Sequence, residues 1–179
     1  MIYFAMRQDK RILDSPELIL TGQEVEELQQ FPTPESLVVS KIIYVKRKLM
    51  KKIDYLDLIE TPVLLISEKL KSLMMKYQKN IWMRTVVLID EQTGYQRIYY
   101  AIYPPRIPCT SKQSVFNYHQ QVKAFILAED KVGYNRIFVP KGLERHLIVR
   151  LDVAESILRR KSNGIIFEEI KNEIGADEE

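Results

Sequence analysis

Cys109, Ser111 and His119 stand within one short stretch, and a thiol or hydroxyl near an imidazole is the residue set of an activated nucleophile. The stretch has no Gly-x-Ser-x-Gly elbow, no papain-type cysteine context and no glycine-rich oxyanion loop, so ordinary loop residues are the simpler reading. A second set is basic. Lys46, Arg47, Lys48, Lys51 and Lys52, with Lys41 and the nearby Tyr44 and Tyr55, could track phosphates and stack on bases. No recognised nucleic-acid motif accompanies this run, and a solvated loop has the same composition. The acidic pairs Asp90-Glu91 and Glu129-Asp130 fall where hairpin tips are predicted, so solvent is their default neighbour. His146 follows Arg145 and reads as a surface residue. Neither Gly-x-Gly-x-x-Gly nor a Walker pattern occurs, and one cysteine with two histidines cannot by themselves close a Cys/His zinc site. No cofactor, metal site or catalytic residue is expected.

The most specific feature is a near-repeat. LIDEQTGYQRIY (Leu88–Tyr99) and LAEDKVGYNRIF (Leu127–Phe138) each run from an apolar strand into an acidic pair, turn at a glycine and leave through alternating aromatic and arginine residues. Such alternation is the pattern of a half-buried antiparallel pair, so each copy predicts a β-hairpin. A period of two puts Tyr95, Arg97 and Tyr99 on one face of the first exit strand, and Tyr134, Arg136 and Phe138 on the equivalent face of the second. An arginine between two aromatics can lie against their rings, and these residue types are enriched where partners bind tightly. The six residues are the candidate partner-binding surface. The competing reading is that the aromatics fill the edge of the core while each arginine reaches past them to water.

Positioning these segments requires a scaffold. Residues Met1–Met6 suggest a first strand, and Ser15-Pro16-Glu17 a turn or short helix. Thr21 and Glu24 match a capping box for a helix that Pro32 and Pro34 would end. Leu37–Val45 is β-branched and reads as a strand. Pro62–Ile66 is an apolar strand, after which Ser67 caps a helix with Leu70, Leu73, Met74 and Tyr77 on one side. Met83–Ile89 and a strand reaching Tyr103 flank the first hairpin turn. Pro104, Pro105 and Pro108 interrupt any ladder, and residues 110–121 read as a loop or short helix. After the second repeat come a strand at Leu147–Leu151, an N-cap at Asp152, a helix, a stop at Asn163-Gly164 and a strand at Ile165–Ile170.

Two copies are too few for a repeat array, which needs three or more stacking units. The predicted fold is therefore α+β: mostly antiparallel sheets with two internally similar hairpins, covered by a few short capped helices. The chain of 179 residues suits one compact domain, with halves at 1–104 and 110–171, a proline-rich seam near 104–108 and a frayed acidic tail at 172–179. Twenty-seven basic against 24 acidic residues leaves a net charge of +3, too small for the whole-molecule field to imply a polyanionic partner. One cysteine suits a reducing compartment. The opening residues lack a signal-peptide pattern, and no apolar run is long enough to cross a membrane, which predicts a cytoplasmic protein.

HLIVRLDVAESILRRKSNGIIFEEI (His146–Ile170) resembles the C-terminal signature of bacterial polymorphic-toxin immunity proteins of the DUF1629 type: a strand, a cap, a helix, a glycine and a closing strand with an inner phenylalanine. The stretch from Asp57 through PVLLISEKL (Pro62–Leu70) is similar to a second segment of that family. The resemblance implies a small cytoplasmic protein that binds and neutralises a cognate toxin domain without catalysis, and it carries no functional residues over. Two rival classes are a nucleic-acid binder using the basic loop 46–52 and an enzyme using the Cys109–His119 loop.

Overall fold

The computed structural model describes residues 1–47, 52–117, 122–143 and 145–173. Strand β1 (Tyr3–Gln8) opens the chain. The next six strands are β2 (Glu17–Ile19), β3 (Lys41–Lys46), β4 (Leu58–Ile59), β5 (Leu65–Ser67), β6 (Trp82–Asp90) and β7 (Gln96–Tyr103). They form one sheet in the order β2-β3-β6-β7-β5-β4. After it come β8 (Arg106–Ile107), the small ribbon of β9 (Val115–Phe116) and β10 (Val122–Ala124), then β11 (Ile126–Leu127), β12 (Ile137–Pro140), β13 (Ile148–Arg150) and β14 (Ile165–Asn172). The second sheet has the order β11-β14-β1-β13-β12-β8, so the first strand of the chain lies inside the last sheet. Among the described residues four α-helices complete the α+β fold: α1 (Gly22–Gln29), α2 (Pro34–Val38), α3 (Glu68–Tyr77) and α4 (Leu151–Arg159). Most ladders are antiparallel; β3–β6, β8–β12 and β11–β14 are parallel.

Local chemistry accounts for several elements. Thr21 and Glu24 form the expected capping box, each side chain bonded to the other's backbone N–H, and α1 follows. Ser67 accepts a hydrogen bond from the Leu70 N–H and starts α3. The stretch Leu37–Val45 departs from its predicted strand. Thr33 caps a helical turn in which Pro34 is pre-set, so Leu37 and Val38 are helical and β3 begins only at Lys41. Ser15–Glu17 likewise gives no helix; Glu17 enters β2, opposite Lys46. Asp152 is not the cap of α4. Arg150 holds that position, and Asp152 in the first turn accepts its guanidinium at 2.9 and 2.7 Å.

The first hairpin is present, with β6 and β7 paired from Trp82↔Tyr103 to Ile89↔Gln96. The second is not. Leu127 ends β11, which runs parallel to β14, while Phe138 sits in β12 between β13 and β8. Between them the chain makes a 3-10 turn at Glu129–Lys131 and buries Val132. The Arg136 N–H donates to the Gln78 side chain of the other half rather than to a hairpin partner. The chain does turn at both glycines, each with a left-handed backbone, at φ 68° for Gly94 and 60° for Gly133. The repeat thus specifies a turn, and tertiary contacts choose the pairing.

Among the described residues three apolar clusters form the core. The largest lies between the sheets with α3 and α4, and includes Met6, Ile66, Leu70, Ile102, Val149 and Ile157. A second, under α1, gathers Leu28, Ile43, Val45, Leu88, Tyr99 and Tyr103. The third joins Tyr3, Cys109, Leu127, Val132, Phe138 and Ile148. One polar clamp links distant segments: the Asp57 carboxylate accepts from the Ser67 hydroxyl at 2.6 Å and from the Asn163 N–H at 2.7 Å. The segments Asp57–Leu70 and His146–Ile170 therefore meet at one side chain.

Candidate binding surface

The tip of the β6–β7 hairpin presents the first half of the predicted surface. Tyr95 is 54% exposed and Arg97 is exposed, whereas Tyr99 is completely buried and donates its hydroxyl to the Leu56 carbonyl at 2.6 Å. Arg97 and Tyr99 share one face of β7, but burial along the strand does not alternate: Gln96–Ile98 are exposed and Tyr99–Tyr103 buried, Tyr99 joins the second core cluster, and burial raises its pKa. Tyr55, from the loop before β4, completes the exposed end. Its ring centroid is 5.7 Å from that of Tyr95, and the Arg97 guanidinium lies 5.4 Å from it, within cation–π range. The result is a partly exposed aromatic and guanidinium cluster. The sequence associates Tyr55 with the basic run, and no local spacing marks it as a neighbour of Arg97.

Asp90 fixes this tip. Expected in solvent, it is buried, and its carboxylate accepts from Arg47 at 2.7 Å, the Thr93 hydroxyl at 2.6 Å and the Gln92 N–H at 3.0 Å. The Thr93 bond leads, with Arg47 assisting, in holding its pKa down to about 2 against the opposing effect of burial. The basic run loses Arg47 to this pair, Lys46 and Lys52 are exposed, and Lys48 and Lys51 lie outside the described residues.

The other predicted half makes no common face with the first: Tyr134 and Arg136 precede β12 in the turn and bend before it, and only Phe138 lies in the second sheet. Tyr134 is fully exposed, Arg136 lies 5.9 Å from the Tyr77 ring of α3 and 3.5 Å from the Asp152 carboxylate, and Phe138 is buried edge-on against Tyr3. Two of the six candidate side chains, Tyr99 and Phe138, are therefore core residues, as the competing reading has it.

Cys109 is fully buried, and burial pushes its thiol up to about 11, opposite to what a thiolate nucleophile needs. Ser111 is also buried and accepts from the Gln113 N–H; His119 lies outside the described residues. His146 is half-buried rather than a surface residue, and burial, then the Arg7 charge, lowers its pKa. It borders a cleft of about 560 Å³ with Glu60, Arg145, Val63 and Ile102, in which Glu60 is already bound by Arg7 at 2.6 Å. Among the described residues no cluster of His, Cys, Asp or Glu could hold a metal ion, and no helix is long and apolar enough to cross a membrane. Compared with protein-family models and with curated proteins, the chain matches none.

Proposed function

We propose that the protein acts by adhering to another protein, as an immunity protein that neutralises a cognate bacterial toxin domain in the cytoplasm by direct contact and without catalysis. The observation that carries this reading is the Tyr55, Tyr95 and Arg97 cluster. Its residue types dominate binding hot spots, it is partly exposed, and its backbone is braced by Asp90, so little ordering is needed on contact. The buried Cys109 and the Asp90-bound Arg47 favour this reading over a thiol enzyme or a phosphate-tracking loop. The family resemblance supplies the nature of the partner.

The test is co-expression with the C-terminal domain of the protein that the adjacent gene encodes. Growth rescue and a stable co-purifying complex are expected. Replacing both Tyr95 and Arg97 by alanine should weaken the complex by about tenfold or more, each hot-spot truncation costing about 1–2 kcal/mol. Full affinity in that double variant rejects the cluster as the contact, and lack of rescue by the parent protein rejects the immunity reading.

A further inference from the structure

The cleft of about 560 Å³ beside His146 opens where the two sheets meet, at the other end of β7 from the proposed binding tip. Its walls come from the end of α1, the 60–64 loop, the passage from β7 to β8, and the segment joining β12 to β13. Sites for small molecules form at such junctions, in clefts of about 300–1,000 Å³ with an apolar body and a few placed polar groups. The floor has that character: Val63, Ile102 and Val139 are buried, and Leu64 and Leu143 are half-buried. The walls are also braced from behind. The Gln29 side chain donates to the Pro62 carbonyl at 3.0 Å, the Arg7 guanidinium to the Arg145 carbonyl at 3.3 Å, and the Val139 N–H to the Pro105 carbonyl at 3.0 Å. A site ordered in advance loses less freedom when it is filled.

The rim sets the charge of the ligand. Glu60 is the acid among the described lining residues, and both of its oxygens are engaged, one by Arg7 at 2.6 Å and the other by the Gln8 N–H at 3.4 Å. Burial and the Arg7 charge lower the pKa of His146, so its imidazole is uncharged at neutral pH. Arg106 donates to the Gln29 carbonyl at 3.5 Å. The cation left to meet a ligand is Arg145, whose guanidinium is exposed and has no ion pair among the described residues. We propose that the cleft binds a small aliphatic carboxylic acid, with its hydrocarbon chain on Val63, Ile102 and Val139 and its carboxylate paired with the Arg145 guanidinium. Two parallel N–H donors of a guanidinium match the two oxygens of a carboxylate, which a neutral alcohol of the same length cannot return. A cationic ligand would meet only an acid that Arg7 already neutralises. This site shares no residue with the Tyr55, Tyr95 and Arg97 cluster and does not rest on the immunity reading.

Isothermal titration calorimetry of the full chain with octanoate and with octan-1-ol tests the assignment. Octanoate should bind at one site with a Kd of about 1 mM or tighter, and octan-1-ol about tenfold more weakly. Arg145→Glu, at an exposed side chain, should leave the circular dichroism spectrum unchanged and remove the preference for the acid. Leu143→Trp, which fills the cleft from its loop, should weaken both probes about tenfold or more. No saturable binding of octanoate, equal affinity for the two probes, or octanoate binding that either variant leaves undiminished overturns the proposal. The Tyr95 and Arg97 double alanine variant should bind octanoate as the parent does, whatever becomes of growth rescue. If the parent binds no octanoate and Arg145→Glu abolishes growth rescue, the cleft belongs to the toxin contact and the small acid is rejected.

Discussion

Asp90 joins the charge balance to the geometry of the binding tip. Its carboxylate bonds Arg47, Thr93 and the Gln92 N–H, and its carbonyl accepts from the Gly94 N–H at 2.8 Å. Because the folded pKa of about 2 lies below the ordinary 3.8, the native state binds this proton less readily than the unfolded chain. The stabilisation is therefore complete above 3.8 and disappears as pH falls through about 2. Asp90→Asn should cost about 1.5–3 kcal/mol at neutral pH, the range for hydrogen bonds to a charged group. Denaturant titrations should show the gap between the parent and the variant closing as pH falls from 4 toward about 2. A gap that is constant across that window would remove the carboxylate charge from the account.

At the scale of elements, Gly164 makes the sharpest demand on sequence. It follows Asn163, whose N–H is held by Asp57, and enters β14 at φ 74°. A Cβ there would lie 2.7–3.0 Å from side-chain atoms of Leu56, which is completely buried. Gly164→Ala combines a left-handed backbone with a core clash, so a loss of about 2–4 kcal/mol is expected and is read as a lower thermal midpoint. The glycine was legible as a stop signal, but the contact with Leu56 was not, since nothing local links the two positions. The same boundary separates the other outcomes. Thr21–Glu24, Ser67 and the β6–β7 turn act within a few residues and are readable from their letters. The second hairpin, the burial of Tyr99 and Phe138, and the approach of Tyr55 to Arg97 depend on partners far along the chain. Half of the predicted binding face was visible as alternating residue types; where β7 passes into the core was decided by α1 and the loop before β4.

For the whole molecule, the path of β1 decides how the parts depend on one another. The proline-rich stretch at 104–108 separates the strands of the two sheets in sequence, yet β1 pairs with both β13 and β14 in the middle of the second sheet. Without β1, those two strands lose their shared partner, exposing the apolar side chains around Tyr3 and Met6. Met6, Ile66 and Leu70 from before the seam share one cluster with Ile137, Val149 and Ile157 from after it. Dividing that cluster exposes several fully buried side chains, each worth about 1.5–3 kcal/mol, against a typical total stability of about 5–15 kcal/mol. The intact chain should therefore unfold in one cooperative step, with equal calorimetric and van't Hoff enthalpies. A fragment covering 105–179 should remain unfolded on its own and acquire β-structure in circular dichroism only when the 1–104 fragment is added. Two separate transitions, or a folded 105–179 fragment, would mean that the sheets are independent despite the strand they share.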